Sequence, residues 1–157
     1  MLTNTKTYLA IAREAHGEML RVLEGHRSSQ PDGCSGFVYR HDPDQRSFKQ
    51  ALICITFTGI YFEALTFACA IKVSNTLACK VDRALYEEKL HLFGVHDDQL
   101  SKRLKAFRLA RKDVVHEKSP SPAALTIPDM RNAQATASEC VKLIDAIHAA
   151  LADVSTS

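Results

Sequence analysis

Arg111 and His116, in the stretch RLARKDVVHEKSP (108–120), are residues whose types and spacing could do chemistry. An arginine stays charged at any physiological pH and offers an anion a planar fork of N–H donors. A histidine changes charge near neutrality. Counting about 100° per residue from Leu100, the side chains of Leu104, Phe107, Val114 and Val115 fall within about 60° of it. Arg111 falls about 20° from Leu100, in the middle of that apolar stripe, where leucine is expected. Lys102, Arg103, Lys105, Arg108 and Lys112 spread over the other faces as a solvated basic shell. Two readings follow for Arg111. It snorkels or pairs with a buried carboxylate, Glu63 being the obvious candidate, or it is held at a partly buried site where its charge meets an anion. His116 lies roughly 140° round the helix from Arg111. The two share a face only if the last turn before Ser119 and Pro120 is distorted, or if a second chain completes the site.

Other candidate groups are weaker. His91 and His96 straddle Gly94 and lack the spacing of a helical zinc pair. His16, His26 and His148 read as surface or boundary histidines. The stretch YRHDPDQR (39–46) holds Tyr39 and Arg40, which suit either a solvated loop or a loop that grips a nucleic acid by stacking. There is no P-loop, GxGxxG or Ser-His-Asp arrangement. The five cysteines, Cys34, Cys54, Cys69, Cys79 and Cys140, form no CxxC pair. Three of them, Cys54, Cys69 and Cys140, fall inside apolar helical patterns, where free thiols are common. No metal or cofactor is expected, and a reducing, cytoplasmic setting is.

The elements that must position these groups are helices. Residues 5–27 place Leu9, Ala12, Met19, Leu20 and Leu23 at helical spacing. Residues 25–45 are an irregular connection of some length, and no strand is expected. Residues 46–73 are the most apolar segment, with Glu63 the one charge in ALICITFTGIYFEALTFACAI (51–71). That length could span a bilayer, but a mid-span carboxylate favours the central helix of a bundle, with Glu63 buried and bonded. Residues 75–93 read as one amphipathic helix stopped by Gly94. Asp97 or Asp98 opens the Arg111 helix, and SPSP (119–122) ends it. The last helix runs from about 129 to 153, with Ala133, Ala137, Cys140, Val141, Ile144, Ile147, His148 and Leu151 inward. Residues 154–157 are expected to be a flexible tail.

The composition agrees. A chain of 157 residues with 46% hydrophobic and 24% charged residues fits a single soluble domain. A net charge of +2 does not by itself demand a nucleic-acid partner. The N-terminal stretch carries charges throughout and has no signal-peptide core. The expected fold is all-α, an up-and-down bundle of about five helices over residues 1–157.

With Arg111-Lys-Asp-Val-Val-His116 in a late helix, the chain resembles the HEPN superfamily, marked by R-x4-6-H near the end of such a helix. RALYEEKLHLFGVHDDQLSKRLKAFRLARKDVVHE (83–117) is similar to the stretch carrying that motif, and IYFEALTF (60–67) to the apolar helix before it. The resemblance implies a metal-independent endoribonuclease acting as a toxin or in phage defence. In that chemistry the 2′-OH attacks the adjacent phosphorus, His116 moves the proton and Arg111 stabilises the phosphate. It implies RNA as partner and a homodimer with a composite site. An antitoxin or defence-system protein is a further partner it allows. Asp113, Glu63 and Lys112 are supporting candidates, and Arg108, Lys105, Tyr39 and Arg40 candidate RNA contacts. The sequence departs from the pattern at Lys112, where many active members have Asn, Asp or His. It departs again at Lys118, where some toxins have tyrosine. The other readings are a non-catalytic HEPN-type module that binds a nucleotide, RNA or protein, and an unrelated helical interaction protein.

Overall fold

The computed structural model describes residues 4–29, 37–39, 42–115 and 127–155. They form an all-α bundle. In chain order it has α1 (Thr5–Gly25), β1 (Arg27–Ser29), β2 (Phe37–Tyr39), α2 (Arg46–Val73), α3 (Asn75–Arg83) and α4 (Tyr86–Lys89). A 3-10 turn (His91–Phe93), α5 (Asp98–Val115) and α6 (Ile127–Ser155) follow.

The apolar segment 46–73 is the central helix, as its composition predicts. α2 packs against α1, α3, α5 and α6, so different faces of it meet different neighbours. Its length and composition would also let it cross a membrane. In this fold Cys54, Ile55, Thr58, Tyr61 and Phe62 are buried under the neighbouring helices. α1 buries Ala12, Ala15, Met19 and Val22, one stripe at helical spacing, while Leu20 remains exposed. α6 turns Ala133, Ala137, Cys140, Leu143, Ile144 and Ile147 inward. Leu100, Leu104 and Phe107 of α5 join the same core.

Two expectations need correction. The connection after α1 is not wholly irregular: β1 and β2 pair antiparallel, with Arg27 opposite Tyr39 and Ser29 opposite Phe37. Pairing across a short ribbon satisfies backbone groups there. Residues 75–93 are not one helix. Ala84 and Leu85 are extended, with ψ of 151° and 157°, and separate α3 from α4. The reason is packing. Val81 belongs to a small cluster with Ala70 and Ala78, whereas Tyr86 and Leu90 enter the main core. On a continuous helix Tyr86 would lie roughly 140° from Val81, and both could not be buried this way. A local bond secures the break, Glu88 Oε2 accepting from Leu85 N–H at 3.0 Å, while Ser74 Oγ caps the start of α3 by accepting from Leu77 N–H at 3.0 Å.

Gly94 ends the 3-10 turn with φ of 83°, a left-handed conformation that suits glycine. Asp97 then caps α5, its Oδ1 accepting from Gln99 N–H at 2.8 Å and Leu100 N–H at 2.9 Å. The expected flexible tail is shorter than 154–157, because α6 runs to Ser155; residues 156–157, the expected stop at SPSP and Cys34 lie outside the described residues.

Candidate functional site

The stripe position of Arg111 has a structural cause. Its side chain is 24% exposed and runs from α5 across to α2, where it lies against Gly59. A β-carbon built on Gly59 would sit 2.2 Å from Arg111 Nε and 2.4 Å from its Cδ. Contact that close is available only where there is no side chain. The guanidinium then reaches two partners. Nη1 donates to Tyr86 Oη at 2.8 Å and to Glu63 Oε1 at 3.2 Å. Tyr86 Oη in turn donates to Glu63 Oε1. One nitrogen of the fork therefore makes both bonds. Nε is buried without a hydrogen-bond partner, and Nη2 makes no hydrogen bond among the described residues.

Tyr86 is the hinge of this cluster. Its ring packs edge-on to Phe62, with centroids 5.2 Å apart, and beside Phe107 at 5.9 Å. Burial pushes its phenol pKa well up, Glu63 adds to the rise as acceptor and as charge, and Arg111 opposes it. The phenol stays protonated and keeps donating to Glu63.

Glu63 forms the pair with Arg111 that its place in α2 suggested, but its burial does not follow. Its side chain is 46% exposed. Glu63 lines a cavity together with Phe67, Asp82, Ala84, Tyr86 and Lys89, which leaves part of its side chain open. An ion pair this exposed is worth about 1 kcal/mol or less, not the several expected of a buried one.

The other candidates are spread out. Lys105, Lys112 and Asp113 are exposed on α5. Arg108 is not part of a free basic shell: its Nε and Nη2 donate to Glu87 Oε2 and Oε1 at 2.9 and 2.8 Å. That bidentate pair ties α5 to α4 and lowers the Glu87 carboxyl below the ordinary glutamate range. Tyr39 lies on β2, remote in sequence from α5, and its side chain is outside the described residues, as are Arg40 and His116. The structure thus brings together Arg111 and Glu63, and His116 follows the last residue of α5. His91 and His96 do approach each other, with ring centroids 5.5 Å apart, and His91 Nε2 is 3.0 Å from Ser101 Oγ.

Sequence reasoning missed Tyr86, Gly59, Lys89 and Asp82. An isolated glycine inside an apolar helix is a packing signal that could have found Gly59. Nothing local distinguishes Tyr86, because its placement depends on the break at Ala84 and Leu85.

Lys89 is 5% exposed and donates from Nζ to Val81 O at 2.5 Å. Burial lowers its pKa, and the charges of Glu63 and Asp82 oppose that. Glu63, Phe67, Asp82, Ala84, Tyr86 and Lys89 surround a cavity of about 240 Å³. A second, more apolar cavity of about 280 Å³ lies between α5 and α6, among residues that include Phe107, Ala110, Cys140 and Leu143. No family model, curated protein or solved structure matches the chain.

Proposed function

We propose that this chain is a metal-independent endoribonuclease of HEPN type, acting as a toxin or in phage defence in the cytoplasm. The observation that carries the reading is the fork of Arg111. It is steadied by Gly59, Tyr86 and Glu63, and its Nη2 makes no hydrogen bond among the described residues. A fixed cation with unspent donors suits a phosphate oxygen whose charge grows during reaction.

In the reaction, the 2′-oxygen of RNA attacks the adjacent phosphorus and loses its proton to a base. The bond to the 5′-oxygen breaks, and that oxygen gains a proton. The products are a 2′,3′-cyclic phosphate and a 5′-OH. His116 is the group with a pKa suited to the proton transfers, and Arg111 stabilises the phosphorane charge. Two copies of the chain, related by a two-fold axis through α5, give each site a second Arg111 and His116 and resolve the angular mismatch within one helix. The apolar cavity between α5 and α6, lined by Ala110 beside Arg111, supports such an interface. The free thiols of Cys54, Cys69, Cys79 and Cys140 are in keeping with a reducing compartment.

The assay is RNA incubated with the wild type and with the His116→Ala, Arg111→Ala and Arg111→Lys variants in EDTA. Each alanine variant loses at least about 100-fold in rate. Lysine rescues only in part, because a point charge does not reproduce the fork. RNA with a 2′-deoxy nucleotide at the cleaved position resists. Equal cleavage by wild type and His116→Ala would overturn the reading.

A second reading is a non-catalytic module binding a nucleotide, RNA or protein partner. It is favoured by one observation: Glu63 already offsets the Arg111 charge within one chain. RNA binding that depends on Arg111, without cleavage of any RNA, would select it.

A further inference from the structure

We propose that the cavity beside Arg111 is a base-binding subsite that takes guanine. This rests on the reading that Arg111 meets a phosphate. Glu63 and Tyr86 belong to both features: they bond Arg111 Nη1 and they line the cavity. A base seated in the cavity therefore leaves its own phosphate within reach of the guanidinium.

The walls supply what a nucleobase needs. Phe67, which is only partly buried, offers aromatic surface, on which bases stack without regard to sequence. A volume of about 240 Å³ suits a base rather than a large organic ligand.

Selectivity comes from the polar groups. Lys89 is a buried donor with one hydrogen bond among the described residues, to Val81 O, which leaves N–H groups to spare there. Asp82 accepts no hydrogen bond among the described residues, and Glu63 uses Oε1 for its two bonds, leaving Oε2. The cavity thus presents one ammonium donor and carboxylate acceptors.

Guanine matches this set. Its O6 and N7 accept from a lysine. Its N1–H and N2–H₂ are adjacent donors that one carboxylate can take together. Adenine turns an acceptor, N1, toward the carboxylate and has only N6–H₂ to give. Cytosine likewise pairs one amino group with a ring acceptor. Uracil has a single N–H between two carbonyl oxygens. Each of the three sets like against like at a carboxylate or offers it one donor where guanine offers two, which lowers its affinity relative to guanine.

The test is titration of the full chain with guanosine, adenosine, cytidine and uridine 5′-monophosphates, followed by calorimetry and by amide chemical shifts. Inosine 5′-monophosphate, lacking the 2-amino group, and guanosine, lacking the phosphate, complete the set. Guanosine monophosphate should bind about tenfold or more tighter than the other three common nucleotides, and inosine monophosphate should lose much of that advantage. Asp82→Asn, an exposed change that spares the fold, should reduce the preference, as should Glu63→Gln. Lys89→Met tests the donor, with a melting curve to establish that the chain still folds. Arg111→Ala should weaken all nucleotides equally and leave guanosine unaffected.

The outcomes separate the two claims. Arg111-dependent binding with no base preference overturns the guanine subsite and leaves the phosphate reading standing. Guanosine binding that ignores Arg111, with no gain from a phosphate, does the reverse. No binding of any nucleotide at millimolar concentration overturns the subsite and counts against the phosphate site as well.

Discussion

Arg111 is held by an absence as much as by its bonds. Gly59 has no β-carbon, and the guanidinium stem fills that space. Gly59→Ala therefore forces the long, flexible arginine to move rather than the helix backbone. Two effects on stability oppose each other. Alanine in a helix interior is favoured over glycine by about 1 kcal/mol, while displacing Arg111 from Tyr86 and Glu63 loses bonds of similar total worth. The melting temperature should change little. RNA cleavage and phosphate binding should fall nearly as far as in Arg111→Ala. Parallel melting curves and activity assays check this, and a Gly59→Ala chain with wild-type activity would show that the close approach is not needed.

At the scale of elements, α4 is one turn long, and its position rests on Tyr86, Leu90 and the bidentate pair from Glu87 to Arg108. A helix that short has little stability of its own. The Glu87 carboxyl lies below its ordinary range, first because Arg108 donates to it and further through the charges of Arg108 and Lys105. A depressed folded-state pKa means that this contribution is complete above the unfolded-state value and disappears as pH falls through the folded one. Wild-type stability should decline as pH drops below the ordinary glutamate range. Glu87→Gln should start less stable at neutral pH and lose less over the same window. Thermal melts at a series of acidic pH values decide it, and curves that stay parallel would remove Glu87 from the account.

For the whole molecule, the prediction is a homodimer across α5. Ala110, next to Arg111 on that helix, lines the apolar cavity shared with α6. Ala110→Asp should leave the fold intact, since Ala110 is not in the core, and should shift the mass in sedimentation from dimer toward monomer. RNA cleavage should fall with it, because each composite site needs both chains. A wild-type chain that stays monomeric at micromolar concentration in low salt would contradict the prediction.

The periodic part of the architecture was legible in the sequence. Apolar spacing located α1, α2, α5 and α6, since a helix repeats its buried face every 3.6 residues regardless of its neighbours. The same periodicity put Arg111 in the α5 stripe and made Glu63 its candidate partner, because a charge among apolar residues stands out wherever the chain folds. What the tertiary structure decided is everything that depends on where one helix lies against another. The break at Ala84 and Leu85 is set by two clusters competing for Val81 and Tyr86, and no local residue announces it. The exposure of Glu63 depends on the cavity left between residues of α2, α3 and α4 beside it. Tyr86, Gly59, Lys89 and Asp82 are ordinary residues in one dimension, and they become a cluster around Arg111 because α2, α3, α4 and α5 meet there.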